Sequence, residues 1–461
     1  MGSTNEENGD VLSNGEVLSA MDEEEQLQDS LSRRGFFCEV CRSVPSLIHS
    51  RTTREQSKTE QKVARIFNDF MSSSALKTLN SPSIFSAECT IDFLKKGLFR
   101  SLSSSYCSLD ASRPWICYWS LHCLSMLGYQ CSEEEASKVV HFLNKCKDSK
   151  RGGYGGGPCQ VAHAAPTYAA VNALCILGTE EALLSIDRQQ LANFFLSLHQ
   201  PDGSYVMHED GEVDVRGVYC CASVATLLNL MHTPSSSPLF ANSASWVSSC
   251  QTYEGGFSAV PFSEAHGGYT FCGWASLNLL DRVYLCEMES LVKWLSSRQM
   301  AFEGGFSGRP NKLVDSCYSF WQLAPLYIAQ CILQTSPKEG AKGEGGGEWD
   351  RQASATRESL EELGAPLFNA EALTEYVLLC CQNYNGGFRD KPGANRDFYH
   401  TCYALSGLSL AHNYPSPSEL HRDMGPLQLE PINPLFNVTH SSADRCRRFF
   451  ANMPTVSVSS E

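Results

Sequence analysis

The sequence predicts an all-α protein in which six helical hairpins close into an (α/α)6 toroid around a central cavity. Two observations carry this prediction: a short glycine turn recurs at intervals of 51, 52, 49 and 82 residues, the last lengthened by an insertion, and amphipathic helices alternate with wholly apolar ones. Repetition at such a period is typical of stacked supersecondary units. The copies of the turn are Arg151–Tyr154, Asp202–Tyr205, Glu254–Phe257, Glu303–Phe306 and Asn385–Phe388.

The segment before each turn predicts an outer helix with one apolar stripe. One such segment begins with a capping box formed by Ser132 and Glu135. The segment after a turn, as in Pro166–Leu174, has no polar face, so its helix has to be buried on all sides. The first outer helix is expected near Glu88–Leu102. Inner helices are expected to begin near Pro114, Pro166, Arg216, His266, Asp315 and Asp397.

Closure into a ring is favoured over an open array. An open helical solenoid needs terminal units with a polar outer face. The terminal units of this chain are not polar, so we expect the last inner helix to pack against the first. An open repeat array that binds other proteins is the alternative.

The toroid is expected to occupy residues 61–415 of the 461. Residues 1–60 begin with an acidic stretch and are predicted to form a disordered tail. A segment rich in glycine and glutamate, at about 338–364, predicts a flexible insertion. Residues 416–461 are expected to form a C-terminal extension.

Composition narrows the class of protein. The chain has 36 Lys and Arg against 51 Asp and Glu, a formal charge of −15, which argues against binding to nucleic acid backbones. It has no apolar run of about 18 residues and no signal peptide, so we expect neither a membrane protein nor a secreted one. The 21 cysteines then indicate reduced thiols in a cytoplasmic protein.

Aligned inner helices carry ionisable residues at one register. The position three before the tyrosines Tyr219, Tyr269, Tyr318 and Tyr403 holds Arg216, His266, Asp315 and His400, respectively. A charged residue in the first turn of a buried helix indicates that this turn opens onto a polar part of the ring cavity. Helix N-termini gathered at one mouth of the ring also favour an anion.

Asp315, Cys317 and His400 form a candidate metal site. Carboxylate, thiolate and imidazole suit zinc, and three protein ligands leave a fourth position open, as in catalytic sites. The alternative is an N-cap Asp, one more buried Cys and a core His.

Cations and aromatic residues surround this register. Arg309 and Lys312, together with His266 and Arg216, can neutralise a phosphate or diphosphate at the helix N-termini. Aromatic residues on the inner helices would line an apolar funnel, which suits a hydrocarbon chain. These features together suggest transfer between a polyprenyl diphosphate and a nucleophile.

Three strings carry a resemblance to a known family: Gly304–Trp321, Glu264–Gly273 and Lys391–Tyr403. They resemble the protein prenyltransferase β subunits, in particular plant-like farnesyltransferase members, over about Val63–His412. The resemblance implies an enzyme with one Zn²⁺ per β subunit that forms a heterodimer with an α subunit. It also implies transfer of a C15 group from farnesyl diphosphate to the cysteine of C-terminal CaaX motifs.

The resemblance also implies roles for single residues. Asp315, Cys317 and His400 would be the zinc ligands, and Asp390 would hold Mg²⁺ beside the diphosphate. Trp115 and Tyr403 would select the C15 chain over C20. Trp119, His163, Ala165 and Tyr399 would contact the peptide. Residues implied to bind farnesyl diphosphate are His266, Gly267, Gly268, Tyr269, Arg309, Pro310, Asn311, Lys312, Tyr318, Trp321, Arg216 and Tyr219.

Three other functions are weighed. A geranylgeranyltransferase β subunit would share the ring, but Trp115 argues for the shorter donor. A terpene cyclase would share it too, but the sequence has no Asp-rich protonating motif. The alternative from a different class is a helical-repeat scaffold without catalysis.

Overall fold

A computed structural model describes residues 50–72, 85–231, 237–335, 355–358, 367–413, 427–454 and 456. The chain divides into two compact units. One comprises Met1–Ser81 with Ala301–Glu303, and the other comprises Pro82–Met300 with Gly304–Glu461. Within the described residues, no helix has both the length and the apolar character needed to cross a membrane.

The structure is mostly helical. The α-helices are α1 (Arg51–Ser72), α2 (Ala87–Phe99), α3 (Arg113–Met126), α4 (Glu133–Lys145), α5 (Ala164–Leu177), α6 (Glu180–Leu184), α7 (Arg188–Leu198), α8 (Val215–Leu227), α9 (Ser243–Ser249), α10 (Gly267–Leu279), α11 (Met288–Ser296), α12 (Tyr318–Trp321), α13 (Leu323–Thr335), α14 (Ala370–Glu375), α15 (Phe398–His412) and α16 (His440–Ala451). Short 3₁₀ helices span Ser104–Ser112, Pro238–Phe240 and Val283–Leu285, and a π-helix spans Tyr376–Cys381. Two antiparallel hairpins pair β1 (Phe388–Arg389) with β2 (Arg396–Asp397) and β3 (Ile432–Asn433) with β4 (Val438–Thr439).

The inner helices of the second unit form a closed ring. Helices α3, α5, α8, α10, α12–α13 and α15 each contact the next in this order, and α15 packs against α3. The predicted (α/α)6 toroid is therefore confirmed, and the open array is wrong.

The inner helices are buried as their composition requires. Helix α5 begins after the N-cap His163 and ends before Gly178, whose φ of +60° terminates it. Small residues such as Ala169 and Ala173 are fully buried and let neighbouring helices approach closely. The predicted capping box of an outer helix is also present: Glu135 N donates to Ser132 Oγ, and Ser132 N donates to the Glu135 carboxylate.

The recurring turn depends on glycine in a conformation that L-residues rarely adopt. Gly255 has a φ of +107°, and a Cβ atom on it would lie 2.1 Å from the carbonyl oxygen of Ser290 in α11. The turn therefore needs glycine both for its backbone angle and for its contact with the following outer helix.

Replacing Gly255 with alanine is expected to lower the free energy of unfolding by about 2 kcal/mol or more, since strain and a clash add. Urea unfolding followed by circular dichroism measures this. Gly128→Ala is the matched control, because Gly128 has a φ of +73° but nothing within 4 Å of its Cβ position. An equal loss in both variants would contradict the proposed clash.

The predicted N-terminal boundary requires correction. Residues 51–60 were expected in the disordered tail, but they form the start of α1. Thr59, Val63 and Phe67 are buried along one side of this helix at a spacing of four. The many charged residues between them obscure that stripe in the sequence. The rest of the predicted tail lies outside the described residues, as does the insertion at 338–364 except for a helical turn at 355–358.

The C-terminal segment is part of the toroid unit and not a separate extension, so the predicted boundary at 415 is also corrected. Helix α16 packs against α5 and α8. Three tyrosines on successive inner helices donate to three successive carbonyls of the β3–β4 turn: Tyr118 to Asn437 (2.7 Å), Tyr168 to Phe436 (2.8 Å) and Tyr219 to Leu435 (2.9 Å). The turn thus accepts hydrogen bonds from the hydroxyls of three buried tyrosines.

Candidate active site

The three predicted metal ligands meet in space. One donor atom from each of Asp315, Cys317 and His400 lies within 4.8 Å of the others, and no other such group of three occurs in the described part of the chain. Asp315 and Cys317 lie just before α12, and His400 lies in the first turn of α15. His400 Nε2 is 3.3 Å from Asp315 Oδ1.

The β1–β2 hairpin anchors the loop that carries two of these residues. Ser316, between them, donates its N–H to the carbonyl of Asp390 (2.9 Å) and its hydroxyl to the carbonyl of Arg389 (2.8 Å). Cys317 N donates to Asp315 Oδ1 at 2.9 Å. These three hydrogen bonds hold the loop, and none of them uses the Cys317 sulfur.

Asp397 orients His400 and was missed in the sequence. It caps α15 by accepting from His400 N at 2.7 Å, and its other oxygen lies 2.7 Å from His400 Nδ1. Nε2 is thereby left to face Asp315. A carboxylate behind a metal-binding histidine is common, and an Asp-x-x-His spacing at a helix start was the available signal.

Charges in the site are strongly coupled. Burial alone would lower the pKa of His400, but hydrogen bonds to Asp315 and Asp397 raise it to about 10. Burial alone would raise the pKa of Asp315, but its bonds with His400 and Cys317 lower it. Burial and the Asp315 carboxylate raise the pKa of Cys317 well above its ordinary value, so a thiolate there requires a cation beside it.

These residues fit zinc. The donor set combines one carboxylate, one thiol and one imidazole with a carboxylate behind the imidazole, which is the chemistry of three-ligand zinc sites. Cys317 is only 2% exposed, whereas the Asp315 side chain is 24% exposed, so the cluster opens to one side.

Asp397→Asn is expected to weaken zinc affinity roughly 10–100-fold, because the amide no longer fixes the orientation and basicity of His400. Competition with a chromogenic chelator measures the dissociation constant. Asp187→Asn, which alters the N-cap of the outer helix α7, is the matched control. Equal affinities in Asp397→Asn and the wild type would refute the positioning role.

The predicted anion-binding residues are brought only partly together. His266 caps α10 by accepting from Gly268 N at 3.2 Å, and its Nε2 lies 2.9 Å from the Tyr318 hydroxyl. Burial and the nearby Arg309 lower the pKa of His266. Arg309 itself forms a salt bridge with Glu264, a partner that the sequence analysis did not single out.

Of the other predicted anion-binding residues, Pro310, Asn311 and Lys312 lie in the loop before Asp315, and Gly267 contacts that loop. Gly267 N donates to the carbonyl of Gly308 at 2.8 Å, which joins the start of α10 to the loop before Asp315. Asn311 has a φ of +60°, and Lys312 is exposed. Pro310 completes the tight turn in which Arg309 lies.

Arg216 lies at the start of α8 as predicted, but a neighbour already neutralises it. Asp214 accepts from its Nε at 2.9 Å, and this bond raises the pKa of the guanidinium. The Arg216 guanidinium also lies 5.9 Å from the centre of the Tyr269 ring. The signal for Asp214 was its place as N-cap two residues before Arg216.

Aromatic side chains of neighbouring inner helices contact one another in a cluster. The Trp321 and Tyr403 ring centres are 4.3 Å apart, and Trp321 Nε1 donates to the Tyr399 hydroxyl at 3.1 Å. Phe271 and Phe320 extend this cluster and were missed. Each of them stands two residues after one of the aligned tyrosines, and this repeated spacing in the sequence could have indicated them. Phe271 also meets Tyr219 edge to face, with ring centres 4.9 Å apart.

The residues assigned to peptide contact and chain length lie on neighbouring inner helices. Trp119 packs against Trp115 and Tyr399, with ring centres 5.5 Å apart in both cases. His163 Nδ1 accepts from Ala165 N at 3.1 Å, so the two lie together at the start of α5. Burial lowers the pKa of His163 to about 4.

Asp390, the residue assigned to Mg²⁺, lies next to the metal cluster in the β1–β2 turn. It forms a salt bridge with Lys391. Burial and the Asp315 carboxylate raise its pKa. A divalent cation at Asp390 would have to displace or share this lysine.

Comparison with known proteins agrees with this geometry. The prenyltransferase alpha-alpha toroid domain matches residues 85–438. The protein farnesyltransferase subunit beta of Arabidopsis thaliana is 39% identical over 436 residues, which covers 86% of this chain and 89% of that protein. The subunit of the same name from Pisum sativum is 40% identical over 381 residues, covering 74% and 90%.

A solved structure supports the fold. The structure of Candida albicans protein geranylgeranyltransferase-I complexed with GGPP has a TM-score of 0.61 at 22% identity, covering 79% of this chain and 99% of that chain. The predicted family and the predicted enzyme class are therefore confirmed. The chain is a prenyltransferase and belongs to the family of protein farnesyltransferase β subunits.

Proposed function

We propose that the chain is the catalytic β subunit of a zinc-dependent protein farnesyltransferase. It would transfer a C15 farnesyl group from farnesyl diphosphate to the cysteine thiol of a C-terminal CaaX motif and form a thioether. The proposal rests on one observation: Asp315, Cys317 and His400 meet beside the aromatic inner helices of this chain. The chain's family, the prenyltransferase toroids, supports it.

The three ligands would hold one Zn²⁺ and leave a position for the peptide thiol. Zinc bound there would lower the pKa of that thiol and make it a thiolate near neutral pH. Asp397 holds the His400 ring through Nδ1, which would leave Nε2 as the ligand atom for the ion. Cys317 would act as a ligand and not as the attacking nucleophile, because the residue is only 2% exposed.

The cationic side of the site would take the diphosphate. His266, Tyr318 and Arg309 lie together at the start of α10 and can donate to its oxygens as charge develops on them. Lys312 would add a further cation from the same turn. Glu264 would have to release Arg309, and Mg²⁺ at Asp390 would assist on the other side.

The aromatic interior would take the prenyl chain and the peptide. Tyr269, Tyr219, Trp321 and Arg216 would line the isoprenoid and peptide cavity, with Trp115 and Tyr403 limiting chain length to C15. Trp119, His163, Ala165 and Tyr399 would contact the peptide. A prenyltransferase α subunit is the proposed partner, and the cytoplasm the proposed location.

The test is co-expression of the full chain with a plant prenyltransferase α subunit, followed by metal analysis and transfer assays on a fluorescent CaaX peptide. We expect one zinc per heterodimer and C15 transfer that is lost on chelation and restored by Zn²⁺. Preferential use of geranylgeranyl diphosphate would instead support the C20 enzyme. Absence of zinc and of transfer would favour a scaffold.

A further inference from the structure

A polar cavity of about 680 Å³ lies against the β1–β2 hairpin. Its lining includes the guanidinium-bearing residues Arg389 and Arg396, with Tyr106, Asn383 and Asn395 as further hydrogen-bonding groups. We call it the hairpin pocket. None of these residues was assigned a role in the transfer reaction.

The two arginines occupy opposite positions on the paired strands of the hairpin. Arg389 pairs directly with Arg396 in the β1–β2 register. Like charges placed directly opposite on paired strands repel each other and destabilise the pairing. Such an arrangement is stabilised when an anion lies between the two groups.

Neither arginine has a carboxylate partner within the described residues. Arg389 Nη2 donates to the carbonyl of Gln382 at 3.0 Å, and Arg396 Nη1 donates to the carbonyls of Asn385 and Gly386. Arg389 Nε is buried and finds no hydrogen-bond partner in the same part of the chain. These bonds fix the guanidinium groups without neutralising them.

The nearby acids are already engaged. Asp390 is paired with Lys391, and Asp397 with His400. The Arg396 guanidinium also lies 4.4 Å from the centre of the Phe93 ring, which leaves its charge without a counter-ion. The hairpin pocket therefore holds two guanidinium groups that have no carboxylate partner within the described residues, with neutral donors around them. Burial raises the pKa of Tyr106, so its hydroxyl stays protonated and can donate.

We propose that the hairpin pocket binds a phosphate-class oxyanion through Arg389 and Arg396. Guanidinium groups bind phosphate oxygens through paired, charge-assisted hydrogen bonds. The cavity is large enough for inorganic phosphate or diphosphate. The pocket shares no lining residue with the diphosphate position that the proposed function places at His266 and Arg309.

The test is calorimetric titration of the full-length chain, in complex with an α subunit, with inorganic phosphate and separately with inorganic diphosphate at constant ionic strength. Arg389→Gln is expected to weaken phosphate binding roughly tenfold or more, since a charged hydrogen bond is lost. Arg389→Lys should retain part of the affinity. Arg447→Gln, which removes an exposed arginine of α16, should leave it unchanged.

A variant of the proposed transfer site distinguishes anion binding there from anion binding in the hairpin pocket. Arg309→Gln should reduce diphosphate binding at the transfer site and leave phosphate binding by Arg389 intact. In the Arg309→Gln variant, tighter binding of diphosphate than phosphate would identify the larger ion as the ligand of the hairpin pocket, and the reverse would identify phosphate. Wild-type affinity in Arg389→Gln, or no binding of either anion at millimolar concentration, would overturn the hairpin pocket proposal and leave the transfer reaction untouched.

A second measurement does not depend on a folded variant. Phenylglyoxal modifies accessible arginines, and mass spectrometry identifies the sites. Phosphate is expected to protect Arg389 and Arg396 in the wild-type complex but not Arg447. Equal labelling of all three with and without phosphate would contradict the proposal.

Discussion

His400→Ala in the heterodimer is expected to abolish stoichiometric zinc and to lower kcat/KM for CaaX peptide transfer by roughly 10³-fold. A metal that activates a nucleophile contributes several kcal/mol to the barrier, and each 1.36 kcal/mol is about a factor of ten. The variant also leaves Asp315 and Asp397 without their shared partner, so both lose the interactions that now orient them. Zinc content by mass spectrometry and initial rates with a fluorescent peptide measure the two effects.

His440→Ala is the control for loss of a histidine, because His440 is exposed at the start of α16. Thermal unfolding shows whether His400→Ala still folds. Full zinc content in a folded His400→Ala protein would remove His400 from the ligand set. Normal transfer without zinc would refute the role given to the metal.

Trp115→Thr is expected to shift the ratio of kcat/KM for the C15 over the C20 donor by roughly 100-fold toward C20. Trp115 packs against Tyr168 with ring centres 5.7 Å apart and against Trp119 at 5.5 Å, so its removal opens space in the aromatic lining. One extra or missing methylene group in a hydrophobic pocket already changes the discrimination between two substrates by roughly 10–200-fold. Competition between farnesyl and geranylgeranyl diphosphate in one reaction measures the ratio.

Two variants control for the loss of an indole. Trp115→Phe keeps an aromatic ring at the site and should shift the ratio far less. Trp246→Thr removes a half-buried indole from the outer helix α9 and should leave the ratio unchanged. A ratio in Trp115→Thr equal to that of the wild type would show that another residue limits the chain length.

The sequence predicted the ring because the period and the apolar inner helices are properties of local segments. The inner helices expected near Pro114 and Asp397 begin at Arg113 and Phe398. The fifth one is interrupted between α12 and α13, shortly before Pro325. Proline cannot donate the backbone bond that would make the helix continuous, so the break follows from a residue that the periodicity did not weigh.

The sequence predicted the site residues that repeat at one register of the aligned inner helices. It did not predict partners that depend on the direction of a side chain or that come from a distant segment. Asp315, Cys317 and His400 stood at helix starts in aligned units, and they meet. The salt bridges from Arg216 to Asp214 and from Arg309 to Glu264 depend on side-chain direction, which spacing does not give. Leu435–Asn437 accept hydrogen bonds from three tyrosines that lie more than 200 positions away in the sequence. No local pattern could indicate these contacts.

The contact of α15 with α3, and of the β3–β4 turn with the tyrosines, has a consequence for biosynthesis. The first inner helix leaves the ribosome long before its final neighbours exist, and at about 5–20 residues per second it waits on the order of 15 to 60 seconds for them. During that interval its apolar faces are exposed to the crowded cell. We expect the nascent chain to need a chaperone until the last inner helix, which carries His400, has been translated and can close the ring.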